Sequence, residues 1–130
     1  MTEDRTDIDR LVLVLETARK RILDPQHWIK DYYARSTEVD EGGEAFATSA
    51  TSAYAACWCA EGAVMWAVRR LDESHEAEGV SVDDAKRVVC EAFNTAHSKN
   101  FPHLHVANDA PETTHEMMIT AFDHAIRELG

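Results

Sequence analysis

No stretch of this chain is apolar over the ~20 residues a membrane-spanning helix needs, so no spanning segment is expected. Nor does it open like a secretory signal: Met1 to Asp7 is acidic and polar, with no basic start and no apolar run. Together these absences predict a cytoplasmic protein with no membrane partner. A paired set of cysteines is also missing. There are three, and Cys57 and Cys59 stand too close together to close an ordinary disulfide loop. That count fits a reducing compartment better than a disulfide framework. Surplus positive charge is lacking as well. Acids outnumber Lys and Arg by 24 to 13, a net charge of −11, so phosphate backbones are repelled on average and no nucleic-acid partner is expected. The short run Arg19-Lys20-Arg21 reads as the solvated face of a helix. Neither CxxC nor HExxH occurs, so no metal and no cofactor is assigned. There is no internal repeat and no linker, and residues 1–130 read as a single helical domain.

What the chain does contain is helical periodicity. Ile8, Leu11, Val12, Leu15, Ala18, Ile22 and Leu23 recur at the spacing of one helix face, with Thr6 or Asp7 as cap and Pro25 beyond the end. Val82, Ala85, Val88, Val89, Ala92, Phe93 and Ala96 mark a later helix, capped by Ser81 with Asp84 in the capping-box position. Met117, Met118, Ala121, Phe122, Ala125, Ile126 and Leu129 mark the last one, with Thr113 as cap and Glu116 reaching back. Between the first helix and the next lie an extended piece around Asp31 to Glu38 and an acidic loop running up to Ala53. Residues 98 to 112 read as a loop with a short extended piece at Leu104 to Ala107.

The densest signal is Cys57-Trp58-Cys59-Ala60-Glu61-Gly62-Ala63-Val64-Met65-Trp66. Read as part of a helix over residues 53 to 71, it is apolar nearly all round, which predicts burial by neighbours on every side. Gly62 would cost about 1 kcal/mol against alanine in an exposed helix. Its expected use is to let another backbone come close. Glu61 is expected on a thin solvent-facing stripe with Arg69. The fold expected is mainly α: a compact four-helix domain around a buried second helix. The extended piece near Tyr33 is expected to pair with the one near His105 as a minor two-stranded element.

Several of these residues carry a family resemblance. Trp28, Trp58-Cys59-Ala60-Glu61-Gly62-Ala63, Asn108-Asp109, and Thr114-His115-Glu116 through Phe122-Asp123-His124-Ala125-Ile126 occur in the order of an uncharacterised bacterial family, domain of unknown function 6197. The chain resembles that family over most of its length. It departs at Ala107, where the family pattern leads one to expect an aromatic before Asn-Asp. The resemblance implies the domain plan and no activity.

Candidate sites follow from residue chemistry. Trp28, Tyr32 and Tyr33 are aromatics of the type enriched at interfaces, and a second copy of the chain is the simplest partner. Trp58, Cys59, Glu61, Asn108 and Asp109 are candidates for a polar pocket beside the tryptophans, with Asn108-Asp109 otherwise organising entry into the last helix. The leading expectation is a small binding or interaction protein without catalytic activity. The rival is a thiol- or metal-dependent enzyme using Cys57 or Cys59 with His103 and His105. A helix N-terminus would lower a thiol's pKa there, and alternation along an extended piece would put both imidazoles on one side.

Overall fold

A computed structural model describes residues 5–30, 33–39, 45–51 and 55–130. Helix α1 spans Arg5–Arg21, and a 3-10 turn at Pro25–His27 follows. Strands β1 (Ala34–Val39), β2 (Ala45–Thr48) and β3 (Ala55–Trp58) come next. Helices α2 (Ala60–Glu73), α3 (Val82–His97), α4 (Leu104–Asp109) and α5 (His115–Leu129) complete the order.

Helices α1, α3 and α5 form where the apolar spacing predicts them, and polar residues set helix ends. Helix α1 buries Val14, Leu15 and Ala18, and the turn after it buries Ile22, while Leu23 at the edge of the stripe is exposed. Asp24 then caps the 3-10 turn by accepting from the Gln26 N–H, and Pro25 prevents the helix from continuing. Ser81 caps α3 by accepting from the Asp84 N–H at 3.3 Å, and Asp83 and Asp84 favour the positive end of its dipole. That helix stops where Ser98 turns left-handed, at φ 55°. Thr114, one residue later than the pattern indicated, caps α5 by accepting from the Met117 N–H at 3.1 Å. Thr113 is instead buried, its hydroxyl donating to the Ala107 carbonyl at 2.6 Å.

Three sequence expectations are corrected. The helix expected over residues 53 to 71 is a strand, then a helix. Cys57 and Trp58 pair with Arg35 and Ala34 of β1, and the helix begins only at Ala60. An apolar run fits a buried strand as well as a buried helix, and the pairing with β1 decides. The acidic loop contains strand β2, so the sheet has three antiparallel strands in the order β2-β1-β3. The piece around His105 does not join that sheet. It is the short helix α4, and β1 finds its partners in β2 and β3.

Helix α2 is nonetheless the buried centre. Ala60, Glu61, Gly62, Ala63, Val64, Ala67 and Leu71 are all buried, and α1, α3, α4 and β3 pack around it. Its side chains join those of α1, α3, α4 and α5 in one apolar cluster that includes Phe93, Phe122, Leu104 and Met118. Among the described residues no helix is long and apolar enough to cross a membrane.

Candidate functional site

Of the family-like residues, Trp28, Trp58 to Gly62 and Asn108 converge on the first turn of α2. The carbonyl of Tyr33, leaving the 3-10 segment for β1, accepts from the Cys59 N–H at 3.2 Å. It also lies against Gly62: a Cβ added there would fall 2.0 Å from that oxygen. Glycine is therefore required here because another backbone occupies the space a side chain would need. Trp58 and Trp28 form a parallel bridge, and the Ile29 N–H donates to the Trp58 carbonyl at 3.0 Å.

Asn108 locks this crossing. It is fully buried. Its Oδ1 accepts from the Trp28 indole Nε1–H at 2.7 Å and from the Ala60 N–H at 3.0 Å. Its Nδ2 donates to the Ile29 carbonyl and to Asp109 Oδ1, each at 3.0 Å. An amide side chain has two acceptor and two donor positions, and all four are used. The Ala60 N–H is one of the donors a helix start leaves orphaned, so a residue 48 positions away completes the cap of α2. Asn108 thus holds the beginning of α2, not the entry to α5 that its sequence position suggested.

Cys59 supplies the local part of that cap. Its Sγ accepts from the Gly62 N–H at 3.2 Å. Burial pushes this thiol up to about 12, the Gly62 N–H opposing the rise and nearby Asp109 and Glu61 adding to it. The helix N-terminus expected to activate the thiol is outweighed by burial. Burial likewise raises Cys57, whose Sγ donates to the Arg35 carbonyl at 3.9 Å. A thiol held protonated is a poor nucleophile and a poor metal ligand.

Glu61 overturns its expected exposure on a solvent stripe. It is only 3% exposed. One carboxylate oxygen accepts from Lys86 Nζ at 3.0 Å; the other accepts from the His105 N–H and contacts His105 Nδ1, both at 3.2 Å. Arg69, proposed as its companion, pairs instead with Glu73 at 2.9 Å. The Glu61 and Asp83 carboxylates raise the pKa of Lys86, overcoming the burial that acts the other way.

Beside this ion pair opens a cleft of about 710 Å³ between the start of α2, α3 and α4. Tyr33, Phe101 and Leu104 give it apolar and aromatic lining, and Asp83, Lys86, Arg87, Glu91, His103 and His105 give it charged and polar groups. The His103 and His105 rings stack, nearly parallel, at 5.6 Å between centroids. The two imidazoles do meet as expected, but at the start of a helix rather than along a strand. His97 is engaged elsewhere, its Nε2 2.9 Å from the Met117 carbonyl. Among the described residues no group of three His, Cys, Asp or Glu side chains is placed to hold a metal ion.

The candidates read from sequence therefore separate into two sets. Trp28, Trp58, Cys59 and Asn108 belong to the buried crossing. The Trp28 ring, partly buried, packs on His115 and against the core, and its N–H is spent on Asn108. Tyr33 and Glu61 line the cleft, and Asp109 borders a neighbouring depression that shares Phe101 and His105 with it. Tyr32 lies outside the described residues. Lys86 and Phe101 were missed because nothing local marks them; Lys86 is 25 positions from Glu61. No curated protein and no solved structure matches this chain. One family model matches residues 9–128, and the chain belongs to the family of unknown function DUF6197.

Proposed function

We propose that this chain is a small cytoplasmic binding protein, folded as one domain, which holds a small organic ligand in the cleft between α2, α3 and α4. One observation carries the reading: the buried Glu61 carboxylate beside the cleft is already fully engaged. Lys86 and His105 satisfy both oxygens of Glu61. A carboxylate so engaged is a fixed polar landmark rather than a free base. Lys86 also meets Asp83 at 3.6 Å, and an ammonium group carries three N–H bonds, one more than these two carboxylates take. Tyr33 and Phe101 offer flat apolar surface. The combination suits a ligand with a planar apolar portion and a hydrogen-bond acceptor, the usual mixture in small-molecule sites. The raised thiols of Cys57 and Cys59 speak against the thiol enzyme. The three unpaired cysteines fit a reducing compartment.

Amide NMR with a library of flat aromatic fragments tests this. Fragments are expected to move the signals of Lys86 and of residues 101–105 and to leave those of residues 79–81 in place. Filling the cleft with His103→Trp, at an exposed position, should abolish those shifts without lowering the melting temperature. If no fragment moves the cleft signals, or if His103→Trp leaves the shifts intact, the ligand-binding reading fails.

A further inference from the structure

On another part of the molecule, α1 ends against the two tryptophans of β3 and α2. The Arg21 guanidinium carbon lies 4.2 Å from the centre of the Trp58 ring and 5.2 Å from that of Trp66. Arg70, one turn beyond Trp66, sits 5.5 Å from the same Trp66 ring. The indoles themselves are 6.1 Å apart and tilted by 53°.

These two arginines differ from five other cations that meet carboxylates, Lys99 with Glu112 among them. Arg19 pairs with Asp123, Arg69 with Glu73, Arg87 with Asp84 and Glu91, and Lys86 with Glu61. Among the described residues no carboxylate pairs with Arg21 or Arg70, although the chain holds 24 acids. Arg21 Nε is buried with no hydrogen-bond partner. An ion pair is the cheapest way to satisfy a half-buried guanidinium, and here aromatic faces take its place. Stacking on a ring holds the plane of the guanidinium while its N–H donors point outward along the edge. Fixing the group beforehand also lowers the entropy lost on binding.

We propose that Arg21 and Arg70, seated on Trp58 and Trp66, form a receptor for an oxyanion, either a carboxylate or a phosphate group of a small ligand. The site is separate from the cleft beside Glu61 and does not depend on the reading given to it. The overall charge of −11 repels anions at long range, so binding rests on the short-range fork geometry a guanidinium offers to such groups.

Tryptophan fluorescence tests the proposal at constant ionic strength, with sodium phosphate and sodium acetate as probes and sodium chloride as control. A saturable change with phosphate or acetate, and none with chloride, is expected; whichever probe saturates identifies the source of the oxyanion. Arg70→Gln, on the exposed side of α2, should weaken it about tenfold, the loss expected for one charge-assisted partner. Arg21→Met should abolish it, and if that variant does not fold, Arg70→Gln alone decides. Absence of any saturable response in the wild type, or equal binding by wild type and Arg70→Gln, overturns the proposal.

Discussion

The start of α2 and the end of α1 each bring polar chemistry into the interior, and they resolve it in opposite ways. At the start of α2 each group is answered inside the chain. Asn108 uses all four of its hydrogen-bonding positions, and Glu61 receives donors on both oxygens. At the end of α1 the Arg21 guanidinium rests on two rings, and its Nε has no partner. A region completed internally has its geometry dictated by its own partners. A region left incomplete is stabilised by packing rather than by a fixed set of hydrogen-bond partners. The first region should therefore be intolerant of substitution, and the second tolerant of an apolar replacement.

The largest effect is expected at Gly62. A Cβ there meets the Tyr33 carbonyl at 2.0 Å, against backbone on the other side. Gly62→Ala should cost about 3 kcal/mol or more, the upper end of overpacking, in a urea melt. A loss below about 1 kcal/mol would mean that the crossing is looser than described. Next is Asn108→Ala, which strips partners from the Trp28 indole, the Ala60 N–H and the Ile29 carbonyl. At about 1 kcal/mol for each group left partly buried and unpaired, the expected loss is about 3 kcal/mol. Asn108→Asp keeps the acceptor but not the donor, and should fall between Asn108→Ala and the wild type.

The third effect is set by pH. The Cys59 thiol, ordinarily near 9.0, is pushed up to about 12 in the folded chain. Between those values the folded state holds the proton that the unfolded state has lost, so stability is full below the lower value and falls as pH rises through the window. Lys86, raised from 10.5, contributes loss in the same direction at still higher pH. Urea midpoints should therefore drop from about pH 8 to about pH 10.5. In Cys59→Ser the drop should be shallower, because a hydroxyl does not titrate there and serine is a good helix cap. An equally steep drop in Cys59→Ser would remove Cys59 as the cause. The smallest effect belongs to the other region. Arg21→Met retains the packing stem and should change stability by no more than about 0.5 kcal/mol in either direction. A loss as large as that of Asn108→Ala would erase the contrast between the two regions.

The sequence made the helices legible because each buries one face, and that face repeats along the chain itself. Ala85, Val89, Ala92 and Phe93 of α3 are buried as their spacing predicts. Gly62 was legible for a similar reason, since a glycine in an apolar run points to a close approach. The start of α2 was not. Ala55–Trp58 carries no helical or strand period that the adjoining helix lacks, and its state depends on β1, which pairs from 19 to 24 positions away. Glu61 was misplaced because its burial is licensed by Lys86 and His105, 25 and 44 positions distant. Asn108 looked like a turn residue because asparagine commonly is one. Its partners at Trp28 and Ile29 lie 80 and 79 positions back.

Those separations bear on the order of folding. Closing so long a loop costs entropy before the contact returns anything. The N-terminal segment can form α1 and the α1–α2 packing while the chain beyond Ala107 is still disordered, but Trp28 and the first turn of α2 gain Asn108 only when the last quarter of the chain docks. Contacts made after the transition state slow unfolding and leave folding unchanged. On this ordering Asn108 acts as a late latch: its loss would appear in stopped-flow traces as faster opening of the native state, with the rate of collapse untouched.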